Sequence, residues 1–166
     1  MRFFSVVVLA FTLVILPVGV WAKSPDFTEK GINGKWNGKP LGLRSFKGKV
    51  VYMTFFATWC KPCITELKQL KKVYEENKKQ GLVVLAVSVD EPQTRSRVRP
   101  TVKRLKLPFP AVIDAQGTIV RLFNPKRATP FSVLFDRQGK VRKTRSSFQI
   151  SDLPEIRKEI LEALRK

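Results

Sequence analysis

The 166-residue sequence has no histidine, two cysteines, two methionines and two tyrosines. With no imidazole and a single cysteine pair, a four-ligand structural zinc site is excluded. Covalent haem attachment is excluded too, because it needs a histidine directly after the second cysteine and Ile64 stands there. Negative charge is scarce: 13 Asp and Glu face 32 Lys and Arg, for a formal net charge of +19. No internal repeat or low-complexity tract breaks up the chain. Its length fits one domain with a sizeable core plus a short extra segment.

What the chain does have is concentrated in Trp59-Cys60-Lys61-Pro62-Cys63, which contains both cysteines. The apolar, aromatic run at 50–56 reads as a fully buried strand. Residues 64–80 carry Leu67, Leu70 and Tyr74 at the spacing of one helix face. The pair therefore sits where a core strand turns into a helix. A helix's first turn has unpaired N–H groups and partial positive charge, which favour a thiolate. Cys60 is expected to have a lowered pKa. Lys61 adds positive charge beside it, and Pro62 suits a first turn that needs no N–H there. Cys63, one turn further in, is expected to remain a protected thiol. An accessible nucleophile backed by a resolving thiol is what disulfide exchange requires. A purely structural bond between residues so close in sequence would gain little chain entropy.

Residues 1–22 form the extra segment. Arg2 supplies a short charged start, residues 3–16 an unbroken apolar run, and Val20-Trp21-Ala22 a small-residue cleavage site before Lys23. Two readings fit: a signal peptide cut after Ala22, or an uncleaved anchor, since residues 3–22 are just long enough to span a bilayer. No cysteine lies there to be acylated. Both readings place residues 23–166, a single domain, in the periplasm or another extracytoplasmic space. A reactive cysteine pair in an oxidising space must be kept reduced by a dedicated donor or serve as an oxidant. The positive charge suggests nucleic acid, but export and the lack of a basic motif interleaved with aromatics argue against it. Much of the charge is spread over helix faces: Lys68, Lys71, Lys72, Lys78 and Lys79, then Arg95, Arg97, Arg99, Lys103, Arg104 and Lys106. That spread fits a solvated basic surface suited to anionic lipid, or a docking face for an acidic partner.

Around this centre the expected elements alternate. Short hairpin strands at 27–32 and 40–43 turn at Asn33-Gly34 or Asn37-Gly38. Gly81 ends the first helix as a left-handed residue. Residues 82–89 form a second continuous apolar strand, so the two strands flanking the helix make a parallel pair at the sheet centre. Val98, Val102 and Leu105 suggest a helix within 93–107, in which Pro100 is either a kink or the true start. A short strand at 111–114, a helical turn at 118–123, a strand at 131–136 and a polar, edge-placed strand from Val141 follow. The last helix begins at 151–155 with Ser151 or Asp152 as cap and has an apolar stripe of Ile156, Ile160, Leu161 and Leu164.

The run Thr54-Phe55-Phe56-Ala57-Thr58-Trp59-Cys60-Lys61-Pro62-Cys63 resembles the thioredoxin superfamily, and more narrowly its exported TlpA/ResA-like branch. Pro25-Asp26-Phe27 and the stretch 46–51 support that branch. Residues 109–114 resemble its inserted segment and 136–141 its last hairpin. The likeness covers roughly residues 25–164 and implies an α/β thioredoxin fold: a central mixed β-sheet flanked by helices, with an N-terminal hairpin and a central insertion. It implies thiol–disulfide exchange with no metal and no cofactor beyond the Cys60–Cys63 disulfide. By the same likeness, Thr129-Pro130 is the family's cis-proline, which presents backbone to a substrate. Trp59, Lys61 and Pro62 belong to the substrate face, with Trp59 packed over the cysteine pair. Glu66 matches a carboxylate that the branch places near its cysteines. Thioredoxin itself has a buried Asp where this chain has Thr54. Glu66 is therefore expected to exchange a proton with Cys63 and to raise thiol pKa; the alternative is a solvated first-turn glutamate. Phe131, where a small polar residue is more usual, and the basic stretch 124–128 depart from the family pattern.

The sequence thus predicts an exported, monomeric thiol–disulfide oxidoreductase that reduces protein disulfides, with Cys60 attacking and Cys63 resolving. The branch further implies service in cytochrome c maturation and recharging by a membrane thiol donor of the DsbD/CcdA type. The alternatives are an oxidant or isomerase of envelope proteins, or a basic, redox-inert binding module. A peroxidase would need Pro-x-x-x-Thr-x-x-Cys ending at Cys60, and that arrangement is missing.

Overall fold

The computed structural model describes residues 25–166; the signal peptide or anchor read at 1–22 lies outside the described residues. A hairpin of β1 (Glu29–Lys30) and β2 (Pro40–Leu41) comes first. Then follow β3 (Val50–Phe56), α1 (Lys61–Asn77), β4 (Leu82–Ser88), α2 (Val98–Leu105), β5 (Ala111–Ile113) and α3 (Thr118–Phe123). The chain closes with β6 (Phe131–Phe135), β7 (Val141–Arg145) and α4 (Leu153–Leu164).

The main sheet runs β5-β4-β3-β6-β7. β3 is parallel to β4, and β4 to β5, while β6 and β7 are antiparallel to their neighbours. This is the mixed sheet flanked by helices that the resemblance implies. Every residue of β3 is buried, because helices cover both faces of its pleat. Val50, Tyr52 and Phe56 point to the face packed by Leu67 and Leu70 of α1, Val98 and Val102 of α2, and Ile156 and Ile160 of α4. Val51, Met53 and Phe55 point to the other face, against Ile119 of α3, Leu41 of the hairpin and Leu43 of the 3-10 turn after it. The two-residue period of a strand thus sorts one apolar run into two cores.

Pro100 falls in the first turn of α2, behind a 3-10 turn at Arg95–Arg97. Its missing N–H has no helical acceptor there, so the ring neither kinks nor breaks the helix. α1 ends at Asn77 rather than running to residue 80. A 3-10 turn at Lys78–Gln80 completes it before Gly81, whose φ of +102° reverses the chain into β4. Asp152 occupies the N-cap position of α4, but its carboxylate accepts the Gln149 N–H at 2.8 Å, holding the preceding 3-10 turn instead of the helix.

The two rims of the sheet differ. The β5 rim is covered, because the Ile32 N–H donates to the Ala111 carbonyl at 2.9 Å and Gly31 bridges to Val112. β7 is the other rim, pairs only with β6 among the described residues, and carries Arg142, Lys143 and Arg145.

Candidate functional site

Cys60 and Cys63 are joined as a disulfide at the start of α1. Cys60 is the N-cap residue in extended backbone, and its Sγ accepts the Cys63 N–H at 3.3 Å. The sulfur thus satisfies a donor that would have no helical partner, at the positive end of a 17-residue helix. Pro62 lies in the first turn and Lys61 beside it is exposed. Cys63 has no exposed surface, and Cys60 keeps only 6%. That is less than the accessible nucleophile expected: the sulfur is engaged by both the sulfur and the N–H of Cys63. The side chain of Trp59, next to the pair, stands 62% exposed.

The loop before Cys60 is fixed from the end of β4. Asp90 accepts from the Thr58 N–H at 3.0 Å, from the Thr58 hydroxyl at 2.6 Å and from the Ser88 hydroxyl at 3.0 Å. Asp90 is distant in sequence, and its only mark there is a carboxylate just past an apolar strand. Glu66 is therefore the motif's only carboxylate by sequence, but not in space.

The Thr129–Pro130 peptide bond is cis. Phe131, the next residue, pairs with Phe55, so Pro130 lies at the end of β3 from which Cys60 emerges. Thr129 and Trp59 line a groove of about 440 Å³ together with Asp90, Arg95, Asp114 and Arg127. Lys61 and Pro62 sit at the helix start and are not part of that lining.

Glu66 lies one turn after Cys63 on the same buried face of α1. It is 1% exposed, which rules out the solvated glutamate weighed from the sequence. Thr54 donates to its Oε2 at 3.0 Å and Tyr52 to its Oε1 at 3.2 Å. Burial pushes its pKa up to about 7, against the pull of those two hydrogen bonds and of the Arg145 charge. A carboxyl poised near neutrality can take a proton or give one. Tyr52 and Ser132 escaped the sequence reading. The one signal was a phenol inside a strand that is otherwise apolar but for Thr54. Among the described residues, no group of three or more His, Cys, Asp or Glu could hold a metal ion. No helix among them is long and apolar enough to cross a membrane.

Known proteins resemble this chain in sequence and in fold. A family model described as the AhpC/TSA family matches residues 20–144. Thiol-disulfide oxidoreductase ResA of Bacillus thuringiensis subsp. konkukian is 38% identical over 119 residues, 72% of this chain. The matched part spans 65% of that relative's length. ResA of Geobacillus thermodenitrificans is 35% identical over 126 residues, 76% of this chain and 68% of its own. The crystal structure of a candidate thiol:disulfide interchange protein DsbE from Chlorobium tepidum matches with a TM-score of 0.76 at 29% identity. It covers 85% of this chain and 94% of its own.

Proposed function

Since the chain belongs to the AhpC/TSA family and has a thioredoxin-like fold, we propose that it is an extracytoplasmic thiol–disulfide oxidoreductase working in the reducing direction. The observation that carries this is the placement of the Cys60 sulfur at the start of α1, where it accepts the Cys63 N–H, with the Cys63 side chain buried behind it. Once the pair is reduced, the helix end favours the Cys60 thiolate. That thiolate attacks one sulfur of a partner disulfide, forms a mixed disulfide and expels the partner's other sulfur as a thiolate. Cys63 then gives its proton to the Glu66 carboxylate and attacks the Cys60 sulfur. The Cys60–Cys63 bond re-forms, and the second partner sulfur leaves. Two electrons have passed to the partner, and the chain must be reduced again by an external dithiol.

In this reading Trp59 and Thr129 form the rim on which a polypeptide substrate docks, and Pro130 shapes that end of the groove. Residues 1–22 direct residues 23–166 out of the cytoplasm or tether them to the membrane. The recharging dithiol is a membrane thiol donor, and an apocytochrome in the course of maturation is one substrate of suitable chemistry.

Substrate trapping tests the scheme. Reduced Cys63→Ala protein, returned to a bacterial envelope, is expected to accumulate adducts that dithiothreitol releases. The Cys60→Ser, Cys63→Ala double variant forms none. Absence of any thiol-labile adduct with Cys63→Ala overturns the mechanism. A reduction potential well above that of the glutathione pool reverses the assigned direction.

A further inference from the structure

A tyrosine hydroxyl in the middle of a buried strand needs a reason, because a phenylalanine would fill the same space with nothing to desolvate. Tyr52 is 3% exposed, and its hydroxyl lies 3.2 Å from Glu66 Oε1 and 2.9 Å from Ser132 Oγ. Its neighbour on the same strand face, Thr54, already serves the other Glu66 oxygen. A phenol has one hydrogen, so it cannot give a full hydrogen bond to both acceptors at once.

We propose that Tyr52 is a positioning residue for the Glu66 proton, its hydroxyl hydrogen turning to the carboxylate when Glu66 is ionised and to Ser132 when Glu66 is protonated. The inference deepens the reading of Glu66 as acceptor of the Cys63 proton and rests on it. Before it takes the Cys63 proton, Glu66 holds its charge where bulk solvent does not reach to stabilise it. A hydrogen that swings onto Oε1 supplies that stabilisation from within the protein. When the Cys63 proton arrives on Glu66, Ser132 receives the hydrogen, so no donor is left unpaired. Burial and the neighbouring Glu66 hold the Tyr52 phenol well above its ordinary pKa, so it keeps its hydrogen throughout.

Other charged groups face this centre from the surrounding elements. Arg145 on β7 favours the Glu66 anion, and Asp152 ahead of α4 opposes it. Glu155 and Glu159 of α4 lie within 3.4 Å of the Arg145 guanidinium and temper its effect. Cys63 on α1 is the group with which the proton is exchanged. Ser132 stands opposite both Thr54 and Arg145 in the strand register, two residues after Pro130.

The test is a carbon-13 NMR titration of the Glu66 side-chain carboxyl in the full chain with its disulfide intact, so that no thiol titrates. Loss of the resonance in Glu66→Gln assigns it. Tyr52→Phe, which keeps the ring, is expected to raise the Glu66 pKa by about one unit, because the anion loses a donor. Ser132→Ala is expected to lower it, because the hydrogen then has one acceptor and stays on the carboxylate. Shifts of opposite sign are not what loosened packing would give. An unmoved or lowered pKa in Tyr52→Phe overturns the proposal. So does a pKa that stays put or rises in Ser132→Ala, which would make Ser132 a donor to Tyr52. The acceptor role of Glu66 fails separately, if Glu66→Gln leaves the pH dependence of disulfide exchange unchanged while both titration shifts are seen.

Discussion

Glu66 is a carboxyl group that folding holds in its neutral form through part of the pH range where it would be ionised in water. Its pKa rises from 4.5 to about 7, chiefly by burial. The folded state therefore binds a proton that the unfolded chain has released. Stability from this group is complete below about pH 4.5 and is lost as pH rises through about 7. The loss is at most roughly 3 kcal/mol. With no histidine in the chain and the cysteines bonded, no other side chain has an ordinary pKa between about 5 and 8. Urea unfolding of the oxidised protein should show lower stability at pH 8 than at pH 5, and Glu66→Gln should flatten that difference. Equal pH dependence in both proteins would mean that Glu66 is hydrated after all. Cys60 and Cys63 were legible in the sequence as a close pair where a core strand turns into a helix, and Glu66 through the family resemblance, three residues further along that helix. Tyr52, Ser132 and Asp90 were not, because only the pairing of distant strands brings them in.

Arg137 shows how single side chains join elements. Its guanidinium donates to the Gly48 carbonyl at 3.1 Å, to Gln80 at 3.0 Å and to Leu164 at 2.9 Å. The loop entering β3, the end of the turn after α1 and the last turn of α4 are thereby fastened to one cation, which also suits the negative ends of the helices. Arg137→Ala should lower the unfolding free energy by about 2 kcal/mol, read from the denaturant midpoint. Arg137→Lys should recover less than half of this, since an ammonium lacks the planar fork. Full recovery by lysine would show that charge alone matters. At this scale the long elements were readable and the joints were not. The apolar runs at 50–56 and 82–89 announced β3 and β4 by composition, and Val98, Val102 and Leu105 announced α2 by spacing. The 3-10 turns at Lys78–Gln80 and Ile150–Asp152 carry no period of their own. The use of Asp152 in the second was set by backbone geometry that composition does not encode.

Across the whole molecule, few acidic groups are left to offset the basic ones. Glu75 pairs with Lys78, Glu76 with Arg157, Asp26 with Arg44, and Glu159 with Lys143 and Arg145. Glu66, Asp90, Asp114 and Asp136 are buried. The surface left to solvent is strongly positive, so small disulfides should be sorted by charge. The rate with anionic oxidised glutathione should fall about tenfold between low salt and 0.5 M salt, while that with cationic cystamine should rise. Parallel responses would mean that the carboxylates beside Trp59, and not the net charge, govern approach. The same positive surface has a bearing on the sheet rim that has no further strand partner among the described residues. A bare strand edge invites another chain to extend it, and at β7 a second copy of this protein would meet Arg142, Lys143 and Arg145 with its own arginines and lysine. Fibre growth by strand addition is thereby disfavoured for this protein in dilute electrolyte, whereas a foreign strand studded with carboxylates would find that border welcoming.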